Sequence, residues 1–172
     1  MKNFITETKR CYIREIRESD VAAETELYKS PHMTDFIDPP EEYDREVLLC
    51  REYADKVYKK YGYGMWGIFD KASGQLIGEA GLEPCFDVDR ARYPYNWMFE
   101  RNCAELGFFI AEHLWGKGYC TEACAAILTY CREHFGITRV FARAEDSNTA
   151  SVRVLSKLGF SKLEENIYFL IL

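Results

Sequence analysis

The residues best placed to do chemistry lie in one stretch, Ala104 to Cys124, which reads AELGFFIAEHLWGKGYCTEAC. Leu106 to Ile110 has the pattern of a buried strand, Gly116-Lys117-Gly118 is a glycine-bearing turn, and a helix begins just after it. The first N–H groups of a helix have no carbonyl partner and sit at the positive end of the helix dipole. Glycines let an anion approach the main chain closely, and Lys117 adds a cation. The chemistry implied is the holding of a phosphate-bearing ligand. A Walker nucleotide site is disfavoured, because no GxxxxGK[ST] occurs, and Cys120-Thr121 after Gly118-Tyr119 break the GxGxxG dinucleotide fingerprint.

The elements that must position this stretch can be read in order. Cys11 to Ile16 alternates apolar and polar residues as a strand does, Ser19-Asp20 offers an N-cap, and Val21 to Tyr28 continues as a short helix. Pro31 and Pro39-Pro40 bracket an irregular connection through Phe36 and Ile37. From Asp44, Val47, Cys50, Ala54, Val57, Tyr58 and Tyr61 recur at helical spacing up to Gly62, packing on the core or forming a flap over a pocket. Tyr63–Asp70 and Leu76–Leu82 form a hairpin around residues 71–74. Residues 84–103 are irregular and aromatic, with Phe86, Tyr93, Tyr95, Trp97 and Phe99, open to a role in local packing, an acceptor pocket or a subunit contact.

After the glycine turn, Ala123, Ile127, Leu128, Cys131 and Phe135 mark the apolar face of a helix that stops at Gly136. Arg139–Ala144 is a further strand, Asn148 caps a short helix closed by Gly159, and Phe160–Leu172 supplies the last strand material, with FLIL buried and Ser161–Asn166 exposed. The order is strand, two helices, three strands, helix, strand, helix, strand: one α/β domain over residues 1–172.

The chain of 172 residues is 48% hydrophobic and 29% charged, the profile of a globular protein. No apolar run approaches membrane-spanning length and the N-terminus lacks a signal-peptide core, so the expected location is cytoplasmic, with no membrane partner. A net charge of -6 argues against nucleic acid as a partner. Seven scattered cysteines without an export signal point to free thiols. Cys120, Cys124, Cys131 and His134 match no usual zinc spacing, so no metal is expected.

Four segments together carry a resemblance: Glu105-Leu-Gly-Phe-Phe-Ile110, Trp115-Gly-Lys-Gly-Tyr-Cys-Thr-Glu-Ala123, Asn148-Thr-Ala-Ser151 and Lys157-Leu-Gly-Phe160. In this order and spacing they resemble the successive signatures of the GNAT acyltransferases. In detail they are similar to the ribosomal-protein-alanine N-acetyltransferase branch, which the opening TKRCYIREIRESD also resembles. The resemblance implies a mixed, mostly antiparallel twisted sheet flanked by helices and splayed open between Leu106–Ile110 and Arg139–Ala144. Acetyl-CoA would lie in the opening as co-substrate, its pantetheine arm on the main chain of Phe108, Phe109 and Ile110. Its pyrophosphate would lie on the N–H groups of Trp115, Gly116, Lys117, Gly118, Tyr119, Cys120 and Thr121, with Asn148 a further contact or a helix cap.

The implied reaction is direct attack of a neutral primary amine on the acetyl thioester. A carboxylate takes the proton that the amine carries at neutral pH. Glu105, Glu79 and Glu83 are the candidates, Glu105 first, because members of the superfamily often carry a glutamate on this strand. An N–H near Phe109 would stabilise the oxyanion. The tyrosine that many relatives use to protonate the leaving thiolate is replaced here by Leu155; the resemblance to this branch offers Ser151 as the substitute candidate, the alternative being that a thiol of pKa about 8.5 leaves with little assistance. Acceptors in view are a protein N-terminus or a small amine, and a homodimer is open. The competing reading is a noncatalytic CoA-binding regulatory module.

Overall fold

The computed structural model describes residues 4–29, 39–85 and 94–172. The expectations placed on Pro31, Phe36, Ile37, Phe86 and Tyr93 fall outside these residues. The described strands are β1 (Thr6–Glu7), β2 (Cys11–Arg14), β3 (Met65–Asp70), β4 (Leu76–Pro84), β5 (Cys103–Ile110), β6 (Arg139–Arg143), β7 (Ser161–Glu164) and β8 (Ile167–Ile171). They make one sheet in the order β1-β2-β3-β4-β5-β6-β8-β7. Every neighbouring pair is antiparallel except β5 and β6, which run parallel.

Two helical layers cover this sheet. On one side, α4 (Tyr119–Phe135) lays Ala123, Cys124, Ile127, Leu128 and Cys131 against Ile13, Trp66, Ile68, Ala80, Leu82, Ala104 and Leu106. This is the apolar face read from the sequence, and all seven cysteines are free thiols. The short helix α5 (Thr149–Lys157) adds Leu155 to the same core. On the other side lie α1 (Val21–Tyr28) and α2 (Tyr43–Tyr53). Central β4 is buried from Leu76 through Leu82, as a strand covered on both faces must be.

The second helix departs from its sequence pattern. After α2 the backbone widens into a π-turn over Ala54–Tyr58, followed by one last turn, α3 (Lys59–Tyr61). A π-turn brings side chains five apart onto one face. Tyr53 and Tyr58 therefore meet edge to face, with ring centroids 5.1 Å apart, and both line the same cavity.

The C-terminal strands correct two expectations. The last strand material is two strands rather than one, and its buried residues are Ile167 and Tyr168, while Ile171 in the FLIL run is 71% exposed. The reason is position: Ile171 pairs with Arg139 at the end of its ladder. Of the aromatic segment, the described residues serve packing. Trp97 meets Phe169 and Phe141 edge to face, Tyr95 stacks on Trp97, and its hydroxyl donates to Glu164 at 2.8 Å.

Candidate active site

The parallel pairing of β5 with β6 is short. It runs through Cys103↔Arg139, Ala104↔Val140 and Glu105↔Phe141 and stops, although β5 continues to Ile110. On its other side β5 stays paired with β4 from Ala104 to Ile110. The sheet thus opens along Leu106–Ile110, where the sequence placed the opening. Strand alternation decides which groups face it. Ala111 N–H donates to the Ile77 carbonyl at 2.8 Å, so the alternate residues Phe109 and Gly107 also turn their main chain to β4. The main-chain groups of Phe108 and the N–H of Ile110 face the opening. Phe109, expected to offer its main chain there, instead sends its side chain to the α1 side, with its ring 4.8 Å from that of Tyr28. The Ile110 carbonyl is taken by the Trp115 indole N–H at 2.8 Å, so Trp115 closes the end of the opening.

Below the opening, the turn delivers the chain into α4. Gly116 (φ 72°) and Gly118 (φ 79°) both occupy the left-handed region, where any other residue is strained. A Cβ built on Gly116 would meet nothing within 4 Å, so this side of the turn faces open space. Trp115 N–H and Lys117 N–H are held within the turn, by Glu112 O at 3.0 Å and Leu114 O at 3.3 Å. The first helical bond is donated by Glu122 N–H to Gly118 O at 3.1 Å. The donors left without a helical partner are therefore those of Tyr119, Cys120 and Thr121, with Gly118 just ahead of them. Of the expected run from Trp115 to Thr121, the N–H groups of Trp115 and Lys117 are thus spent within the turn. Cys120 turns its thiol inward, 7% exposed and hydrogen-bonded to Cys124.

Arg10 was not singled out from the sequence, yet it holds this turn. Its Nη1 donates to the Lys117 carbonyl at 2.9 Å, and its Nε and main-chain N–H reach the two Glu122 carboxylate oxygens at 2.7 and 2.9 Å. Its guanidinium lies 3.9 Å from the centre of the Tyr119 ring. Burial pushes the Glu122 carboxyl up, but hydrogen bonds from Thr8 and Arg10 outweigh it and leave the group below the ordinary glutamate value. Arg10→Ala is expected to raise KM for acetyl-CoA about tenfold with little change in kcat, since a slack turn costs affinity and not chemistry. Steady-state kinetics check this; a fall in kcat alone would contradict it.

The third and fourth signatures bracket α5. Asn148 is its N-cap, its side chain accepting from Ser151 N–H at 3.0 Å. Ser151 stands in the first turn, half-buried, and Leu155 one turn later is fully buried in the core. The position that would carry a proton-donating tyrosine is thus a packing residue. Among the described residues, no group of three or more His, Cys, Asp or Glu is arranged to hold a metal ion.

The three carboxylates named from the sequence have different fates. Glu105 is gripped by Arg143, with Nε–Oε1 at 2.7 Å and Nη2–Oε2 at 3.3 Å. Glu83 is exposed and accepts the Tyr53 hydroxyl at 3.0 Å. Glu79 is 5% exposed and lines a cavity of about 210 Å³ between α1, α2 and the sheet, with Glu24, Glu46, Tyr28, Tyr53 and Tyr58. Glu24 is its hydrogen-bonding neighbour, a contact between residues 55 positions apart in sequence that no local pattern signals. Burial is the main force raising both carboxyls above the ordinary value, Glu79 furthest, and their mutual repulsion and Glu46 add to the rise for Glu79.

That shift fixes a sign. A carboxyl raised in the folded state contributes stability that is fully present below its unfolded value, about 4.3, and is lost as pH rises through the folded value. Melting temperature is therefore expected to fall as pH rises above about 4.3, and Glu79→Gln to flatten that fall and to melt at or above the parent once Glu79 is ionised. Thermal melts across pH test it; an unchanged slope in Glu79→Gln would contradict it.

Comparison with known proteins agrees with this architecture. The family model described as an acetyltransferase (GNAT) domain matches residues 10–161. The chain is 26% identical over 160 residues to the uncharacterized N-acetyltransferase YoaA of Bacillus subtilis, covering 92% of this chain and 83% of that protein. Among solved structures, a GNAT-family acetyltransferase from Bacillus anthracis superposes with a TM-score of 0.75 at 19% identity, over 96% of both chains. The ribosomal-protein-S5-alanine acetyltransferase of Vibrio fischeri gives 0.75 at 17% identity, over 96% of this chain and 95% of that one. The family match takes in Arg10, the open seam, the glycine turn and α5, and by it this chain belongs to the GNAT acetyltransferases.

Proposed function

We propose that the protein transfers an acetyl group from acetyl-CoA to a primary amine, with Glu79 as the base. The carrying observation is the unpaired length of β5 directly above the free N–H groups that open α4. A long, amide-bearing donor fits that pair of features: strand-edge groups at Phe108 and Ile110 for the pantetheine amides, a helix start at Gly118–Thr121 for the pyrophosphate. Lys117 adds positive charge beside it.

The acceptor enters from the α1–α2 side. Glu79 is paired in register with Phe109, on the strand that borders the opening, and the Tyr28–Phe109 contact joins cavity and strand. The ammonium gives a proton to the Glu79–Glu24 pair. The freed nitrogen lone pair attacks the thioester carbonyl carbon, a C–N bond forms, and the carbonyl oxygen takes negative charge opposite the Phe108 or Ile110 N–H. The C–S bond then breaks and sulfur leaves as thiolate, while the new C–N nitrogen sheds its second proton, which the Ser151 hydroxyl or solvent relays to the thiolate. Glu79 is favoured over Glu105 because a carboxylate whose two oxygens are forked by arginine is a poor proton acceptor, whereas one raised by burial is a good one.

The test is release of free thiol from acetyl-CoA in the presence of an amine panel, with the acetylated product identified by mass. Tight CoA binding without turnover across the panel would replace this reading by a noncatalytic CoA-binding module.

A further inference from the structure

The cavity under α1 and α2 has a lopsided charge. Of its described lining residues, three are carboxylates (Glu24, Glu46, Glu79) and none is lysine, arginine or histidine. An acidic cluster alone would say little, but one member is unsatisfied: Glu79 Oε1 is buried and, among the described residues, no amide, hydroxyl or cationic group donates to it. Buried carboxylate oxygens are rarely left so, because the desolvation cost of the group is then uncompensated. Glu79 and Glu24 sit close enough to share one proton, and Glu46 stands on the more exposed side with Glu41 N–H on its Oε1 at 2.6 Å. With one shared proton the three groups carry two negative charges, and a ligand that balances them carries two positive ones.

We infer that the acceptor is a small, unbranched dication without a carboxylate, its reacting ammonium held between Glu79 and Glu24 and its second positive group beside Glu46. Ile16, Leu49, Cys50 and Met65 supply an apolar lining for the methylenes between the two ends, and Tyr28, Tyr53 and Tyr58 add aromatic side chains to it. A cavity of about 210 Å³ is below the usual range for drug-sized ligands, which suits a short diamine. The charges also explain release. Acetylation removes the positive charge at the Glu79–Glu24 end, so the product keeps only its hold on Glu46.

This inference rests on the acyl-transfer reading, and the experiment separates the two. With saturating acetyl-CoA, kcat/KM is measured for 1,4-diaminobutane, n-butylamine, 4-aminobutanoate and an alanyl tripeptide amide. The diamine is expected to exceed n-butylamine by at least about tenfold, with 4-aminobutanoate slowest, and Glu46→Gln to bring the diamine-to-monoamine ratio close to one. In parallel, 1,4-diaminobutane alone should raise the melting temperature of the parent, and less so in Glu46→Gln, a half-exposed site whose substitution is compatible with folding. Equal kcat/KM for diamine and monoamine, or preference for the tripeptide amide, overturns the dication site while acyl transfer stands. A melting shift with the diamine but no thiol release with any amine supports the cation site and overturns acyl transfer.

Discussion

Gly118→Asp is expected to weaken CoA binding by about 10- to 100-fold, the loss of one or two charge-assisted hydrogen bonds, while the protein stays folded. Gly118 sits at φ 79° directly before α4, so a side chain there is strained and stands next to the helix start. An aspartate at such a position folds back on the free N–H groups of the first turn and occupies them as an internal anion. It would also meet Arg10, whose Nη2 lies 3.6 Å from where a Cβ would stand, and draw the guanidinium from Lys117 and Glu122. Strain at positive φ costs about 1 kcal/mol or more, and the new cap returns a similar amount, so the melting temperature should move by only a few degrees. Gly118→Ala separates the effects, since it keeps the strain and omits the charge, and should lose far less affinity. Calorimetric titration with CoA is the measurement. Unchanged affinity in Gly118→Asp would remove the phosphate from this turn.

Gly81→Ala should act on the fold itself. A Cβ at Gly81 would lie 2.0 Å from the Gly64 carbonyl oxygen and 2.6 Å from Met65 Cα, both main-chain atoms of the preceding segment and strand β3. Neither can swing aside as a side-chain tip would, so β3 and β4 must part where Met65 pairs with Gly81. Overpacking of this severity costs about 3 kcal/mol or more, a large part of a total of about 5–15 kcal/mol. A fall in melting temperature of about 6 °C or more follows for a chain of this size, with much of the protein insoluble on expression. Circular dichroism melts decide it, and a shift within about 2 °C would mean that the strands tolerate separation. Because Glu79 is two residues away on the same strand, whatever folds should also lose acceptor turnover.

What the sequence made legible was local chemistry. Left-handed glycines at 116 and 118, a helix starting at Tyr119, a buried thiol at Cys120 and a cap at Asn148 depend on neighbours within a few residues. What it concealed was set by register and distance. That Phe109 turns its amide away from the opening is a matter of strand parity against β4, invisible until the pairing Glu79↔Phe109 is known. Arg10 reaches across 107 positions to Lys117, and only its place beside the opening strand hinted at it. Glu105 ranks first as the base on sequence, and its ion pair with Arg143 emerges only when β6 is laid beside β5. Tyr53 and Tyr58 look like different helix faces until the π-turn joins them.

The three-pair seam between β5 and β6 has one further consequence. Edge strands are hazards because their unspent donors and acceptors accept any extended chain, and folded proteins usually keep them at the rim, guarded by charge, proline or a bulge. Here an edge lies in the middle of the sheet, guarded at one end by the Trp115 indole. If the donor substrate lies there as proposed, it would also be a structural plug: while it filled the gap, no stray peptide strand could.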